Sequence, residues 1–425
     1  MDEKIKKTVV ESCRVLLGLV FVFSGFVKAV DPLGSAYKFE DYFIAFDVDF
    51  LSVFALPLSF ILSALEFGLG ICILLALYRR FSATITLIFM SFMTPLTLWL
   101  ALTNPVHDCG CFGDALVLTN WQTFFKNILL LAAAIVLFRR PGKMKRLFPY
   151  RITGWICLYT FLFIVCLSLY CYRNLPLLDF RPYKIGKNIP EQMIVPEGAP
   201  TDQDITTFIY EKNDTQKEFT LEEAPMNDST WTFVDAKNTV IKGYQTPVHD
   251  FVITTNTDVD VTGEILSDTS YTFLLISPSL KEAKESNADR INEIYDYTLR
   301  YGYKFYCITA ATPKDISEWI NNTAADYPFY FMDKVALKTI IRSNPGLLLM
   351  KNGTVYNKWH NRNIPKNSAL KEPLENSPMG KIKSNSDLKV IISVSLLFLF
   401  HLLLFFWIGY KIRVSDKLKK KTTRT

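Results

Sequence analysis

The stretch TLIFMSFMTPLTLWLALTNPVHDCGCFGD, residues 86–114, joins a long apolar run to a short polar loop that contains Cys-Gly-Cys. A bilayer core about 30 Å thick is crossed by about 20 mostly apolar residues in an α-helix. Six runs meet this length, at about 9–30, 53–77, 82–102, 122–138, 153–171 and 389–410. The sequence therefore predicts a polytopic α-helical membrane protein with about six transmembrane helices.

Composition agrees with a membrane protein and argues against a nucleic-acid-binding protein and a disulfide-rich scaffold. Half of the 425 residues are hydrophobic and 14% are aromatic, which is high for a soluble protein. The net charge of +6 comes from separate Lys/Arg clusters, so no nucleic-acid partner is expected. Eight cysteines in a chain of this length do not form a disulfide scaffold.

The Lys/Arg clusters predict the orientation. They lie before the first run, between the second and third, between the fourth and fifth, and after the sixth, which places all of them on one side. Because positive residues favour the cytoplasmic side, both termini are predicted to be cytoplasmic in a bacterial inner membrane. Three segments then face the periplasm: 31–52, with a predicted interfacial helix at 34–43, 103–121, and 172–388, here called the outer segment. The first run has no cleavage site and is predicted to be a retained span.

The Cys109-Gly110-Cys111 motif admits three interpretations. A disulfide between residues two apart requires a turn, which glycine permits, and a strained, exposed disulfide is easily exchanged. A metal site would use His107, Asp108 and the two thiols, but no second ligand pair is visible in the sequence, so no metal is predicted. The third interpretation is a purely structural loop.

Ionisable residues in the apolar runs extend the candidate site. Glu66 lies about 20 Å from the outer end of the second run, where a carboxyl group either packs with a polar partner or handles a proton. Lys28 and Lys126 lie near the outer ends of the first and fourth runs, where they either reach the headgroups or lower the thiol pKa values. His107 is a further candidate for tuning the thiols or shuttling a proton.

These features together resemble the DoxX/MauE family of membrane proteins, of a Bacteroidetes type. The resemblance covers residues 8–140 and rests on SGFVKAVDP (24–32), Glu66 and HDCGCFGD (107–114). It implies a four-helix membrane bundle, a redox-associated role, and quinone as a cofactor or electron acceptor. Cys109 and Cys111 are then the candidate redox pair, with Lys28, Glu66, His107 and Lys126 in support.

The outer segment has the composition of a globular domain. Residues 172–261, which follow a fifth span at 153–171, are predicted to be β-rich, with strands in DITTFIYE (204–211), TWTFVDA (230–236) and VHDFVITT (248–255). Residues 262–370 alternate strands and helices and end in a predicted hairpin at Lys351-Asn352-Gly353, which indicates an α/β layer. A last span at 389–411 follows.

Residues 262–370 also resemble a thioredoxin/TlpA-like domain. SNPGLLLMKNGTVYNKW (343–359) matches the segment in which a cis-proline precedes a strand, and Pro345 is the matching residue. The family's Cys-x-x-Cys is absent, because ISPSLKEA (276–283) stands in its place. Cys307 is predicted to be buried in a strand. The domain is therefore predicted to bind a partner or to cover the Cys-Gly-Cys loop.

Two functions follow from the sequence. One is an oxidoreductase that passes electrons between periplasmic thiols and the quinone pool through Cys109 and Cys111, in support of envelope-protein maturation. The other is a non-enzymatic membrane scaffold or assembly factor whose outer segment binds a partner. Both imply an envelope protein client and contact with membrane lipid.

Overall fold

The computed structural model describes residues 3–106, 108–200, 203–212, 215–219, 224–225, 228, 230–241, 243–244, 246–382 and 387–422. Within these residues, six helices are long and apolar enough to cross a membrane, and a separate α/β region follows the fifth. The predicted polytopic helical fold with an α/β domain is thereby confirmed. The candidate spans are Glu3–Val30, Asp49–Leu74, Arg79–Thr103, Asn120–Arg139, Tyr150–Arg173 and Asp387–Ser415.

The helices are α1 (Glu3–Val30), α2 (Pro32–Ala45), α3 (Ala55–Leu74), α4 (Arg79–Thr103), α5 (Asn120–Arg139), α6 (Tyr150–Arg173), α7 (Ile189–Met193), α8 (Thr262–Ser267), α9 (Ala288–Tyr301), α10 (Pro313–Thr323), α11 (Lys334–Ile340) and α12 (Asp387–Thr422). The strands are β1 (Gln203–Lys212), β2 (Thr215–Phe219), β3 (Thr232–Ile241), β4 (Tyr271–Ser277), β5 (Lys304–Thr309), β6 (Phe329–Phe331), β7 (Gly346–Lys351) and β8 (Thr354–His360).

Helices α1, α3, α4 and α5 form a bundle in which α1 packs on α3 and α4 packs on α5. Glycines let α1 and α3 approach closely, as small residues do between membrane helices. A Cβ atom at Gly70 would lie 2.6 Å from the Val22 nitrogen, and one at Gly25 would meet the Phe67 backbone. Helix α6 packs against α1 and α3, and α12 contacts α6.

Helix α2 lies across one end of this bundle and includes the helix predicted at residues 34–43. The Asp31 side chain caps it by accepting from the Gly34 N–H at 2.9 Å, and Pro32 occupies its first position, where no N–H is needed. The α2 helix follows α1 directly, so it lies at the same end as the loop between α4 and α5. This end is called the domain side below, because the α/β domain docks there.

The α/β domain (Thr262–Gly380) contains a five-stranded sheet in the order β6-β5-β4-β7-β8. Strands β4, β5 and β6 are parallel, whereas β7 is antiparallel to both of its neighbours. The parallel pairs are joined through α9 and α10, and β7 and β8 form a hairpin whose turn includes Asn352 and Gly353, both with positive φ. The Asn344–Pro345 peptide bond that precedes β7 is cis.

Both faces of this sheet are buried, as the near-continuous apolar sequence of β4 requires. Phe273 and Leu275 face α9 and α10, in a core that includes Trp319. Leu274 and Ile276 face α8 and α11, in a second core that includes Leu337. The sheet is therefore a rigid middle layer between two sets of helices.

Strands β1, β2 and β3 form a separate antiparallel sheet in the order β2-β1-β3. Two of the three predicted strand segments lie in it. The third segment, VHDFVITT, was wrongly predicted as a strand. Its β-type pairing consists of isolated bridges at Thr254. Its apolar residues Phe251 and Ile253 are instead buried in the core beside α11.

Candidate functional site

Cys109 and Cys111 lie in the loop between α4 and α5, on the domain side. Gly110 adopts a left-handed conformation, with φ of +65°, and its N–H donates to the Asp108 carboxylate at 2.9 Å. This turn brings the two Sγ atoms to 3.0 Å from each other. Glycine is required here because a Cβ atom would be strained at this φ and would approach the Lys38 side chain.

A buried ion pair lies directly below this loop. Lys28 Nζ of α1 is 2.8 Å from Glu66 Oε2 of α3, and the two residues are only 5% and 4% exposed. Lys28 Nζ also donates to the Cys111 carbonyl oxygen at 2.7 Å. The close approach of the two helices thus places a paired charge against the backbone of the Cys-Gly-Cys motif.

Ser24 completes this cluster. Its Oγ lies 2.7 Å from Glu66 Oε2 and 2.6 Å from the Cys111 carbonyl oxygen, and it accepts from Lys28 Nζ at 2.7 Å. Its single hydroxyl proton can be donated to only one of the two oxygens at a time. Ser24, Lys28 and Glu66 therefore form a connected path for hydrogen bonds from the bundle interior to the loop.

The structure shows what the two lysines contact. Lys28 does not extend to the headgroups but pairs with Glu66. Lys126 of α5 places Nζ 4.3 Å from the centre of the Phe112 ring and lines a small pocket with Glu66 and Cys111. His107 lies outside the described residues. Four predicted site residues besides Cys109 therefore meet at one place.

The two thiols have opposite pKa shifts. The hydrogen bond from Cys109, together with the positive charges of Lys126 and Lys28, lowers the pKa of Cys111 to about 6 despite its burial. The same hydrogen bond and burial raise the pKa of Cys109 well above its ordinary value. Of the pair, Cys111 is therefore the thiol that ionises first.

A cavity of about 610 Å³ opens beside the two cysteines, between α2 and α4. Its walls are mostly apolar and include seven aromatic side chains, of which Phe46 stacks on Trp99 with ring centres 4.6 Å apart. Its polar lining includes the Lys28–Glu66 pair, and Lys28 donates to the Cys111 carbonyl oxygen. Such an apolar space with a few convergent polar groups is typical of a small-molecule site.

Sequence reasoning missed two residues of this site. The Tyr42 hydroxyl of α2 donates to the Cys109 carbonyl oxygen at 2.9 Å, and Trp99 forms part of the cavity wall. The aromatic residues of 34–43 predicted only an interfacial helix. A detectable signal was the density of aromatic residues on both segments that flank the motif in sequence.

The α/β domain docks over this site through Arg342, in the loop before Pro345. The buried guanidinium contacts Asp31 with Nε at 2.9 Å and Asp114 with Nη2 at 3.0 Å. Lys338 of α11 adds an ion pair with Glu40 of α2 at 2.8 Å. These ion pairs, here called the latch, join the α/β domain to α2 and to the loop of Cys109.

Cys109 lies in an apolar cluster of the membrane part of the chain, beside Tyr42 and Trp99. Cys109 is only 7% exposed. Gly110 and Gly113 share a cavity of only about 20 Å³ with Leu178 and Phe180 of the outer segment. The larger opening beside the motif is thus the apolar cavity.

Two further kinds of site were considered among the described residues, a reactive thiol in the α/β domain and a metal site. Cys307 of β5 is fully buried, as predicted, and burial raises its pKa above the ordinary range. No group of three or more His, Cys, Asp or Glu side chains in the described part of the chain is arranged to hold a metal ion.

Comparison with known proteins found two family models that match parts of the chain. Residues 6–139 match the model of the family described as methylamine utilisation protein MauE. Residues 205–243 match a family described as a domain of unknown function (DUF8463). Neither the curated proteins nor the solved structures gave a match. The chain is thus a MauE-like multi-pass membrane protein with an additional α/β domain.

Proposed function

We propose that Cys109 and Cys111 are a redox pair that accepts electrons from thiols of envelope proteins and passes them to a quinone in the membrane. The observation that carries this proposal is the 3.0 Å separation of the two Sγ atoms at the mouth of the apolar cavity. A dithiol at this position meets protein thiols on one side and a lipid-soluble ring on the other. The match to the MauE family is compatible with a redox-associated membrane role.

The first half-reaction is thiol–disulfide exchange. A client thiolate attacks Cys109 Sγ of the Cys109–Cys111 disulfide, and the S–S bond breaks with Cys111 as the leaving thiolate. Cys111 suits this role because the thiol of lower pKa leaves faster. A second client thiol then attacks the mixed disulfide at the client sulfur and releases Cys109. The client loses two electrons and two protons, and the pair becomes a dithiol.

The second half-reaction restores the disulfide. Cys109 and Cys111 form their S–S bond, and two electrons and two protons pass to a quinone, which becomes a quinol. Support for a quinone site comes from the lining of the cavity, which is mostly apolar, includes seven aromatic side chains and contains both cysteines. Lys28, Ser24 and Glu66 would carry protons at this end through their hydrogen bonds.

The α/β domain is proposed to be a thioredoxin-like lid. Support comes from the order of its strands and from Pro345 before β7. A thioredoxin-like domain usually supplies its own thiols, but this one has none at residues 276–283. Its docking by Arg342 instead controls which molecules reach the redox pair. We place this domain in the periplasm and both termini in the cytoplasm.

Thiol trapping in aerobically grown cells tests the redox proposal. A fraction of Cys109 and Cys111 should be disulfide-bonded, and the Cys111→Ser variant should accumulate a mixed disulfide at Cys109. The matched control is Cys166→Ser, which changes an exposed cysteine of α6. If both thiols remain fully reduced, or if the double variant Cys109→Ser/Cys111→Ser keeps the wild-type phenotype, the pair is not an electron carrier.

The alternative function is a scaffold or assembly factor. It is favoured by the separate β2-β1-β3 sheet, which takes no part in the site around the cysteines. A scaffold would tolerate both serine substitutions and would lose function when residues 203–241 are deleted. The redox proposal predicts loss of function from the serine substitutions themselves.

A further inference from the structure

A second cavity lies at the end of the bundle opposite the cysteines. Its volume is about 350 Å³, and it is bounded by the turn between α3 and α4 and by the connection between α5 and α6. Three arginines line it, Arg79, Arg80 and Arg146. No carboxylate belongs to its lining. Three guanidinium groups beside a membrane, without an acidic group among them, require an anion from elsewhere.

One arginine is held in place, whereas the other two are available. Arg79 Nη1 donates to the carbonyl oxygens of Gly142 and Met144 at 3.0 and 2.8 Å, which fixes the connection against α4. Arg80 and Arg146 are exposed. In the parts of the chain that the structure describes, neither forms an ion pair with an acidic side chain. The guanidinium groups of Arg80 and Arg146 therefore line a cavity whose wall is held in place by Arg79.

Two glutamates near the N-terminus of α1 are already engaged. Glu3 pairs with Lys143 at 2.8 Å, and Glu11 pairs with Arg14 at 2.7 Å and accepts from the Lys145 N–H at 2.7 Å. These contacts neutralise other basic groups of the same end. Glu3 and Glu11 are therefore paired with groups that lie outside the lining of the arginine cavity.

The surroundings of the cavity identify the source of the anion. Phe81 is 67% exposed and Tyr78 is 38% exposed, and both lie at the boundary of a spanning helix. Aromatic side chains at this level sit among lipid headgroups. Arginine binds phosphate oxygens through its planar fork, and basic pockets between membrane helices bind anionic headgroups.

We propose that this cavity binds the phosphodiester headgroup of an anionic phospholipid. Arg80 and Arg146 contact the phosphate oxygens, Arg79 shapes the cavity, and Phe81 packs against an acyl chain. This site is independent of the redox pair, since it lies at the opposite end of the bundle. Arg139 and Arg140 belong to the same connection but do not line the cavity, so they provide a comparison of equal charge.

Native mass spectrometry of the full chain in lipid nanodiscs tests the proposal. Wild-type protein should retain phosphatidylglycerol over phosphatidylcholine after release from the disc. The variant Arg80→Gln/Arg146→Gln should reduce that retention by about tenfold, equivalent to the loss of roughly 1.4 kcal/mol of binding. The control Arg139→Gln/Arg140→Gln, with the same loss of charge, should retain the lipid as wild type does.

Three results would overturn the proposal. Equal retention of phosphatidylcholine by wild-type protein would show that no anionic headgroup is selected. An equal loss in both double variants would show a diffuse effect of net charge. Displacement of the lipid by millimolar inorganic phosphate would identify a site for free anions instead. None of these results bears on whether Cys109 and Cys111 cycle.

Discussion

At the scale of single residues, the contact of Lys28 with Glu66 decides how the bundle tolerates charge. Two ions removed from water are stable only as a pair, and removal of one partner leaves the other uncompensated. Either Lys28→Met or Glu66→Leu should therefore destabilise the protein by about 3–5 kcal/mol. The double variant should recover much of this loss.

Thermal unfolding in detergent would measure this coupling. The expected pattern is a lower Tm for each single variant and a higher Tm for the double variant than for either single one. If the two effects simply add, Lys28 and Glu66 do not interact energetically. Lys143→Met, at the exposed pair with Glu3, is the control and should change Tm little.

Lys126 acts on the thiols through its charge. The hydrogen bond from Cys109 is the main cause of the low pKa of Cys111, and the positive charge of Lys126 lowers this pKa further because it favours the thiolate. Cys111 is therefore ionised at a pH at which an ordinary cysteine is neutral. Lys126→Met removes one source of stabilisation and should raise the pKa of Cys111 by roughly one unit.

The pH dependence of alkylation by iodoacetamide, read by mass spectrometry at Cys111, checks this prediction. The midpoint should move to higher pH in Lys126→Met and remain in place in Lys143→Met. A midpoint that does not move, or that moves downward, contradicts the assignment. Acid titrates the thiolate in wild-type protein, so reactivity should fall as the pH drops through the folded-state pKa.

At the scale of elements, the lid proposal predicts that the latch between the α/β domain and α2 limits access to the loop. Arg342→Ala leaves Asp31 and Asp114 without their shared partner, and truncation of a buried charge pair costs about 2–5 kcal/mol. Labelling of Cys109 and Cys111 by a polyethylene-glycol maleimide should then accelerate by about tenfold or more.

Two comparisons separate an open lid from an unfolded domain. N-ethylmaleimide is small, so its labelling rate should rise less than that of the bulky reagent. Cys307 should stay unlabelled by either reagent, because it reports on the folded sheet. Lys314→Ala removes an exposed pair on α10 and should leave all rates unchanged. Equal labelling rates for Arg342→Ala and wild type would show that the latch does not control access to Cys109 and Cys111.

Elements were the level at which sequence reasoning worked best, and contacts between elements were the level at which it failed. Long apolar runs fix helices because a membrane requires internal hydrogen bonds, so six spans were predictable. The wrongly predicted strand at 248–255 has the alternation of a strand, but its apolar residues face a core built by a distant segment. The pairing of Arg342 with Asp31 joins residues from different domains, and no local pattern encodes it.

The candidate site was predictable only in part for the same reason. Its cysteines stand together in the chain, and Lys28 and Glu66 are conspicuous because charge is rare in apolar runs. Their mutual contact depends on the rotation of α1 against α3, which the glycines permit but do not specify. The role of Tyr42 as a donor to the Cys109 carbonyl depends on the path of α2 across the bundle.

At the scale of the whole molecule, an even number of spans fixes which parts share a side of the membrane. The loop of Cys109 and the α/β domain lie at one end of the spans, and the connection between α5 and α6 lies at the other. A cysteine introduced at Lys314 should react with a membrane-impermeant maleimide in spheroplasts. A cysteine introduced at Lys143 should react only after permeabilisation, and the reverse pattern would invert the proposed orientation.

The outer segment, which contains the α/β domain, has a candidate spanning helix on each side, α6 before it and α12 after it, and the Lys184–Asp387 ion pair brings its two ends together. A domain held at two points cannot diffuse away when its contacts break. Its effective concentration at the docking surface stays in the millimolar range or above, as for a module on a short linker. Each time the α/β domain undocks, it is therefore expected to dock again rapidly. The time available to a client depends on this rate of return, and longer tethers at either end would extend it without any change in the ion pairs themselves.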